Sequence, residues 1–186
     1  MTNVTPLALA EVLLITPKRH GDARGWFAET WSDKSLSAAG VNTRFVQDNQ
    51  AFNARKGTVR GLHFQKAPHA QGKLVRVLKG AIYDVAVDVR QGSATYGQWV
   101  GATLTAEVGE QLWVPRGFAH GYMTIADDTE LFYKVDGDYA PQLEGGLIWN
   151  DPDIGIAWPL DLADPVLSDK DRILPRLRDM PQAAFA

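Results

Sequence analysis

The sequence predicts an all-β domain, a sandwich or small barrel, on three observations. Short alternating apolar segments recur along its length, 17 glycines and 10 prolines punctuate them, and helical patterning is confined to one brief segment. No internal repeat, low-complexity tract or linker divides residues 1–186, so one domain is expected. The apolar fraction of 45% and charged fraction of 22% are those of an ordinary globular chain with a full core.

Taken in order, Val12 to Ile15 is a short apolar strand closed by Pro17. Gly21 to Trp31 is a turn running into an alternating strand, with Trp26, Ala28 and Thr30 on one face and Phe27, Glu29 and Trp31 on the other. Ser32 suits the N-cap of a helix from Asp33 to Ala39, and Gly40 suits its left-handed terminus. Phe45 to Gln50 is a strand that puts Gln47 and Asn49 on one face and Asp48 on the other. Arg60 and His63 share a short apolar segment, and Lys73 to Val89 is predicted as a hairpin turning at Lys79–Gly80. Gln98 to Thr105, Glu110 to Val114, Gly121 to Ile125, Glu130 to Val135 and Leu147 to Trp149 continue the rhythm. Beyond Trp158 the chain turns proline-rich and irregular.

Composition removes several functions. A net charge of −3 provides no basic field for nucleic acid or an anionic membrane, so any phosphate must be gripped by individual arginines. The absence of cysteine rules out disulfides and thiolate metal sites, and agrees with a cytoplasmic location. Leu7 to Ile15 is apolar but carries Glu11 and follows no basic segment, so neither a signal peptide nor a membrane span is expected.

Two segments fit the cupin pattern. Gly57 precedes His63 by six residues, and Pro-Arg-Gly-Phe-Ala-His (115–120) matches the second cupin box, ending in His120. The expectation sharpens to a cupin-like double-sheet jelly roll with short peripheral helices. A metal-binding cupin carries a second histidine where this chain has Gln65, and a carboxylate where it has Lys73. A cation in place of an acidic ligand does not suit a divalent metal, so neither metal nor cofactor is expected. His63 is then free for proton transfer near neutral pH, with Lys73 placed to stabilise an enolate. The competing readings are a buried structural histidine and a lysine that merely opens a strand. Val75 and Val77 share the face of Lys73, which points that face inward.

Over nearly its whole length the chain resembles the dTDP-4-dehydrorhamnose 3,5-epimerase family. The shared segments include Gly-Asp-Ala-Arg-Gly-Trp-Phe-Ala-Glu from Gly21, Phe-Val-Gln-Asp-Asn from Phe45 and Arg-Gly-Leu-His-Phe-Gln from Arg60. Further along come Ala-Gln-Gly-Lys-Leu-Val-Arg-Val, Asp-Val-Ala-Val-Asp-Val-Arg, Pro-Arg-Gly-Phe-Ala-His-Gly, Phe-Tyr-Lys and Leu-Ser-Asp-Lys-Asp. Each is weak alone; their joint order is specific.

The resemblance implies epimerisation at C3 and C5 of a 4-keto-6-deoxyhexose carried on dTDP, without a cofactor. Both carbons lie alpha to the ketone, so one proton-transfer device serves twice. By resemblance His63 is the base, Asp171 orients it, Lys73 supports the oxyanion and Tyr133 is the acid. Asp84 is a second candidate to orient the histidine. Arg24 and Arg60 suit forked contacts to a diphosphate. Phe27, Glu29, Gln47, Asp48, Asn49, His120, Tyr139, Glu144 and Lys170 are implied to line the site. The family is a homodimer that exchanges N-terminal strands, which assigns Arg24 and Glu29 to the partner's site. One departure stands out: the family usually has paired tyrosines before Ala-Pro, and this chain has Asp138 and then Tyr139. The rival readings are a metal-dependent cupin enzyme, a non-catalytic sugar-nucleotide binder, and a single-site epimerase or ketoisomerase of the same family.

Overall fold

Residues 2–160 and 164–180 are described in this computed structural model. The chain opens with β1 (Asn3–Pro6), β2 (Leu13–Thr16), β3 (His20–Asp22) and β4 (Gly25–Phe27), then α1 (Asp33–Ala38). There follow β5 (Gln47–Asn53), β6 (Val59–Gln65), β7 (Lys73–Lys79), β8 (Ala81–Asp88) and β9 (Trp99–Thr105). The last elements are β10 (Gln111–Val114), β11 (Phe118–Thr124), β12 (Thr129–Val135), β13 (Glu144–Gly146) and α2 (Asp169–Arg172).

Two antiparallel sheets face each other in the expected jelly roll. One runs β1-β2-β10-β7-β12-β5, the other β13-β6-β11-β8-β9. Alternate residues fill the space between them, among them Val75, Val77, Ile82, Ala86, Leu112 and Leu131. The outer face of the six-stranded sheet is covered by α1 and the turn after it, through Leu36 and Val41 against Leu13, Leu74 and Trp113. The outer face of the five-stranded sheet is covered by the C-terminal chain, with Leu147, Ile154 and Leu177 on Val85 and Val87.

The helix forms where its caps lie. Ser32 Oγ accepts from Ser35 N–H, and Gly40, at φ +87°, turns the chain out. Val41 N–H returns to Leu36 O at 2.9 Å and Gly40 N–H to Ser37 O at 3.0 Å, a Schellman closure whose apolar contact is the Leu36–Val41 pair.

Three expectations are corrected. β7 and β8 are not a hairpin: β7 pairs with β10 and β12, whereas β8 pairs with β9 and β11. Gly80, at φ +79°, carries the chain from one sheet to the other, and a Cβ there would lie 2.4 Å from Thr129 Oγ1. The alternating strand expected to Trp31 stops at Phe27, because β4 pairs only with β3. Residues 28–31 are held by tertiary contacts instead: Gln111 Nε2 donates to Thr30 O, and Trp31 meets the Phe45 ring edge-on. The strand expected at Leu147 to Trp149 comes earlier, at β13, because its pairing with β6 begins at Glu144. β1, which the sequence pattern did not suggest, extends the sheet edge beside β2.

One irregularity positions the site. Arg60 and His63 are three residues apart and would face opposite sides of a regular strand. The β6–β11 register shifts between them, pairing His63 with His120 but Arg60 with Tyr122. The strands close on each other at Gly61 and Gly121, where a Cβ on Gly61 (φ +120°) would lie 2.6 Å from the Gly121 Cα. This bulge turns both Arg60 and His63 to the inner face.

Candidate active site

Between the sheets, at the β5-β12-β7 side, opens a cavity of about 280 Å³. Gln47, Asn49, His63, Lys73, Tyr133 and Glu144 line it, and Tyr139 stands on its wall. A larger hollow of about 790 Å³ lies outside the six-stranded sheet, between residues 39–44 and Trp113; no histidine, lysine or tyrosine lines it.

His63 Nε2 lies 2.6 Å from Asp171 Oδ1. A neutral imidazole that donates there keeps its lone pair on Nδ1. Asp171 is delivered by α2, whose N-cap Ser168 accepts the Asp171 N–H at 3.1 Å. Burial by itself pushes the Asp171 carboxyl up, but hydrogen bonds from His63, Ser168 and the Gly61 backbone, with the His63 charge, hold it below its ordinary value. Asp171 is only 3% exposed, so it is no ordinary surface charge.

Lys73 begins β7 on the inner face. Burial lowers its ammonium to about 8, while the charges of Asp84 and Glu144 pull the other way. Its backbone is fixed by Asp136, a residue that gave no signal in the sequence. Gly72 N–H and the Thr43 hydroxyl each donate to that carboxylate at 2.6 Å, and Arg116 Nε bridges both oxygens. Tyr133 is half-buried on β12, opposite Asn49 of β5. Burial raises its phenol and the Arg60 charge opposes that.

Asp84, the alternative orienter of His63, belongs to a second pair: His120 Nε2 lies 2.6 Å from Asp84 Oδ1. Burial lowers the His120 imidazole although Asp84 opposes, and the Lys73 and His63 charges lower it further. Asp84 Oδ2 is buried and has no hydrogen-bond partner among the described residues. Glu144 is ion-paired with Lys170 and accepts from the Tyr139 hydroxyl at 3.3 Å. Burial raises the Glu144 carboxyl, but Lys170, His63 and Tyr139 together bring it below its ordinary value.

Gln65, noted only as a missing metal ligand, straps the loop that carries Tyr139. Its Nε2 donates to His69 O and Asp138 O, and its Oε1 accepts Ala140 N–H at 2.9 Å. With that amide engaged, Lys73 beside the histidines and both Nε2 atoms on carboxylates, the donor set does not fit a divalent ion. Among the described residues no three His, Asp or Glu side chains converge as metal ligands.

Four expected site residues lie elsewhere. Asp48 faces outward and pairs with Lys134 Nζ at 2.8 Å, as strand alternation requires. Arg24, Phe27 and Glu29 stand outside this chain's cavity because the β3–β4 hairpin joins neither main sheet. Arg24 bonds Asp22, Phe27 is 72% exposed, and Glu29 accepts from Ser32 and Ser35.

A family model, dTDP-4-dehydrorhamnose 3,5-epimerase, matches residues 6–179. The chain belongs to that family. The dTDP-4-dehydrorhamnose 3,5-epimerase of Sinorhizobium fredii is 53% identical over 175 residues, spanning 94% of this chain and 89% of that protein. The crystal structure of the Bacillus anthracis dTDP-4-dehydrorhamnose 3,5-epimerase, with TDP and PPi bound, superposes with a TM-score of 0.91 at 47% identity. The match covers 95% of this chain and 99% of that one. The 3,5-epimerase of Legionella pneumophila, in complex with dTDP-4-keto-L-rhamnose, gives 0.91 at 41% identity, covering 97% and 95%. Among the described residues no helix of this dTDP-4-dehydrorhamnose 3,5-epimerase family member is long and apolar enough to cross a membrane.

Proposed function

We propose that the chain inverts C3 and C5 of dTDP-4-dehydro-6-deoxy-D-glucose to form dTDP-4-dehydro-L-rhamnose. The observation that carries this reading is the His63–Asp171 pair, at 2.6 Å, opening into the one cavity that also holds Lys73 and Tyr133. His63 Nδ1 removes the proton alpha to the ketone, and the electron pair moves onto the ketone oxygen. Asp171 stabilises the imidazolium through Nε2–H. The Lys73 ammonium supports the oxyanion; with its value near 8 it is still mostly charged at neutral pH. Tyr133 returns a proton to the opposite face of the carbon, and the carbonyl reforms. The imidazolium then releases its proton to solvent, the tyrosinate takes one up from solvent, and the same cycle at the other alpha carbon completes the double inversion.

The nucleotide half of the substrate is assigned to Tyr139 and Glu144 on the cavity wall, to Lys170 paired with Glu144, and to Arg60. The working unit is a homodimer in which the exposed β3–β4 hairpin brings Arg24, Phe27 and Glu29 to the partner's cavity. That hairpin joins neither main sheet of its own chain, which supports its exchange.

Incubation with dTDP-4-keto-6-deoxy-glucose in heavy water tests the reading. Deuterium at both C3 and C5 of the product is expected. Label at one carbon would reduce the protein to a single-site epimerase, and binding without label would make it a sugar-nucleotide binder.

A further inference from the structure

The bulge that turns Arg60 inward leaves its guanidinium to be aimed by something else, and the residue that aims it is a buried amide. Asn53, 3% exposed, ends β5 opposite Thr129 of β12. Its Oδ1 accepts from Arg60 Nε at 2.8 Å and from the Tyr122 hydroxyl at 3.2 Å. Its Nδ2 donates to Thr129 O at 3.2 Å, and Arg60 Nη2 is held alongside by Phe52 O at 3.2 Å. One side chain thus ties β5, β6, β11 and β12 together around a single cation. Arg60 is otherwise an exposed, long side chain with many rotamers available to it.

We propose that Asn53 is a positioning residue that holds the Arg60 guanidinium where its charge bears on the Tyr133 hydroxyl. The inference rests on the proposed acid role of Tyr133 and adds the device that sustains it. A phenol pushed up by burial is a poor acid near neutral pH, and Arg60 is the cation that counters that push at Tyr133. Tyr122, the second phenol on Asn53, is pushed up to about 12 by burial despite Arg60 and Asn53 and stays a hydrogen-bond donor. The other ionisable groups around this space are Lys73 on β7, His63 on β6, His120 on β11, Asp84 on β8 and Glu144 on β13. Asn49, across from Tyr133 on β5, is uncharged. A cation freed from Asn53 would swing into solvent, where its effect on the phenol is screened.

Ultraviolet titration of tyrosinate in the substrate-free protein reads this directly, with the Tyr133 component isolated by subtracting matched Tyr133→Phe variants. Asn53→Ala is expected to move the Tyr133 transition to higher pH, as Arg60→Met does. In the Arg60→Met background Asn53→Ala should add no further shift. An unmoved transition in either single variant, or a further shift without Arg60, overturns the proposal. Asn53→Ser, whose hydroxyl is too short to reach Arg60, serves if the alanine variant does not fold. Because no turnover is involved, the outcome is independent of the acid role. Full epimerisation by Tyr133→Phe would sink that role and leave the titration result standing.

Discussion

The two histidine–carboxylate pairs have the same contact length, 2.6 Å, and face each other across β6 and β11, yet they are built differently. The His63 side chain is 29% exposed and opens to the cavity, and its carboxylate comes from α2, 108 residues away. The His120 and Asp84 side chains are 8% and 0% exposed, and both stand on strands of one sheet. A short hydrogen bond to a carboxylate therefore does not make a base. What separates the pairs is access: the His63 ring opens into the cavity, whereas the His120 ring is closed into the core. Burial pushes the His120 imidazole down against the pull of Asp84, and the Lys73 and His63 charges add to that push.

Substituting each histidine breaks the comparison most directly. His63→Ala is expected to lower solvent exchange of the substrate protons by roughly 10³- to 10⁴-fold while dTDP binding persists. His120→Ala should instead reveal itself in unfolding, losing about 1–3 kcal/mol, because it removes the hydrogen-bond partner of the buried Asp84 carboxylate. Denaturant melts and exchange rates on both variants check this. Equal losses of activity and stability in the two would erase the distinction.

Lys73 lies between the pairs, and Lys73→Met should slow turnover by about 3 kcal/mol of barrier, on the order of 10²-fold, with little change in nucleotide affinity. Its pH behaviour sharpens the contrast. Turnover that needs the ammonium should decline above pH 8, and a kcat profile of the wild type reads that limb. Stability moves the other way. Between 8 and 10.5 the unfolded chain binds a proton that the folded chain has released, so this group makes folding more favourable as pH rises. Below 8 both states are protonated and its contribution is flat. Unfolding at about pH 7 and about pH 10 should show the wild type gaining on Lys73→Met; a constant gap would mean the ammonium is not held down.

The smallest effect concerns the bulge beside both histidines. A Cβ on Gly121 would lie 2.8 Å from Arg60 O and from a Leu62 methyl. Gly121→Ala should cost about 1–3 kcal/mol in thermal unfolding and lower kcat, because it separates the two pairs. An unchanged melt would show that the close approach relaxes freely.

Much of this was legible in the chain itself. Alternation put Gln47 and Asn49 on one face of β5 and Asp48 on the other, though only the structure shows the first to be the cavity face, and the face shared with Val75 and Val77 turned Lys73 inward. The cap residues Ser32 and Gly40 bounded α1 to within one residue. Pairing partners were not legible: the Lys79–Gly80 signal reports a turn but not the sheet to which the next strand goes.

Period-two side-chain direction and local capping depend on neighbouring residues, so the amino-acid order by itself determined most of the strands, the ends of α1 and the chemical types available for catalysis. The tertiary structure alone decided which carboxylate serves which histidine, and it overrode alternation at Gly61–Gly121 so that Arg60 and His63 face the same space. Those outcomes come from packing one sheet against another, where residues over a hundred positions apart meet and no local rule reaches.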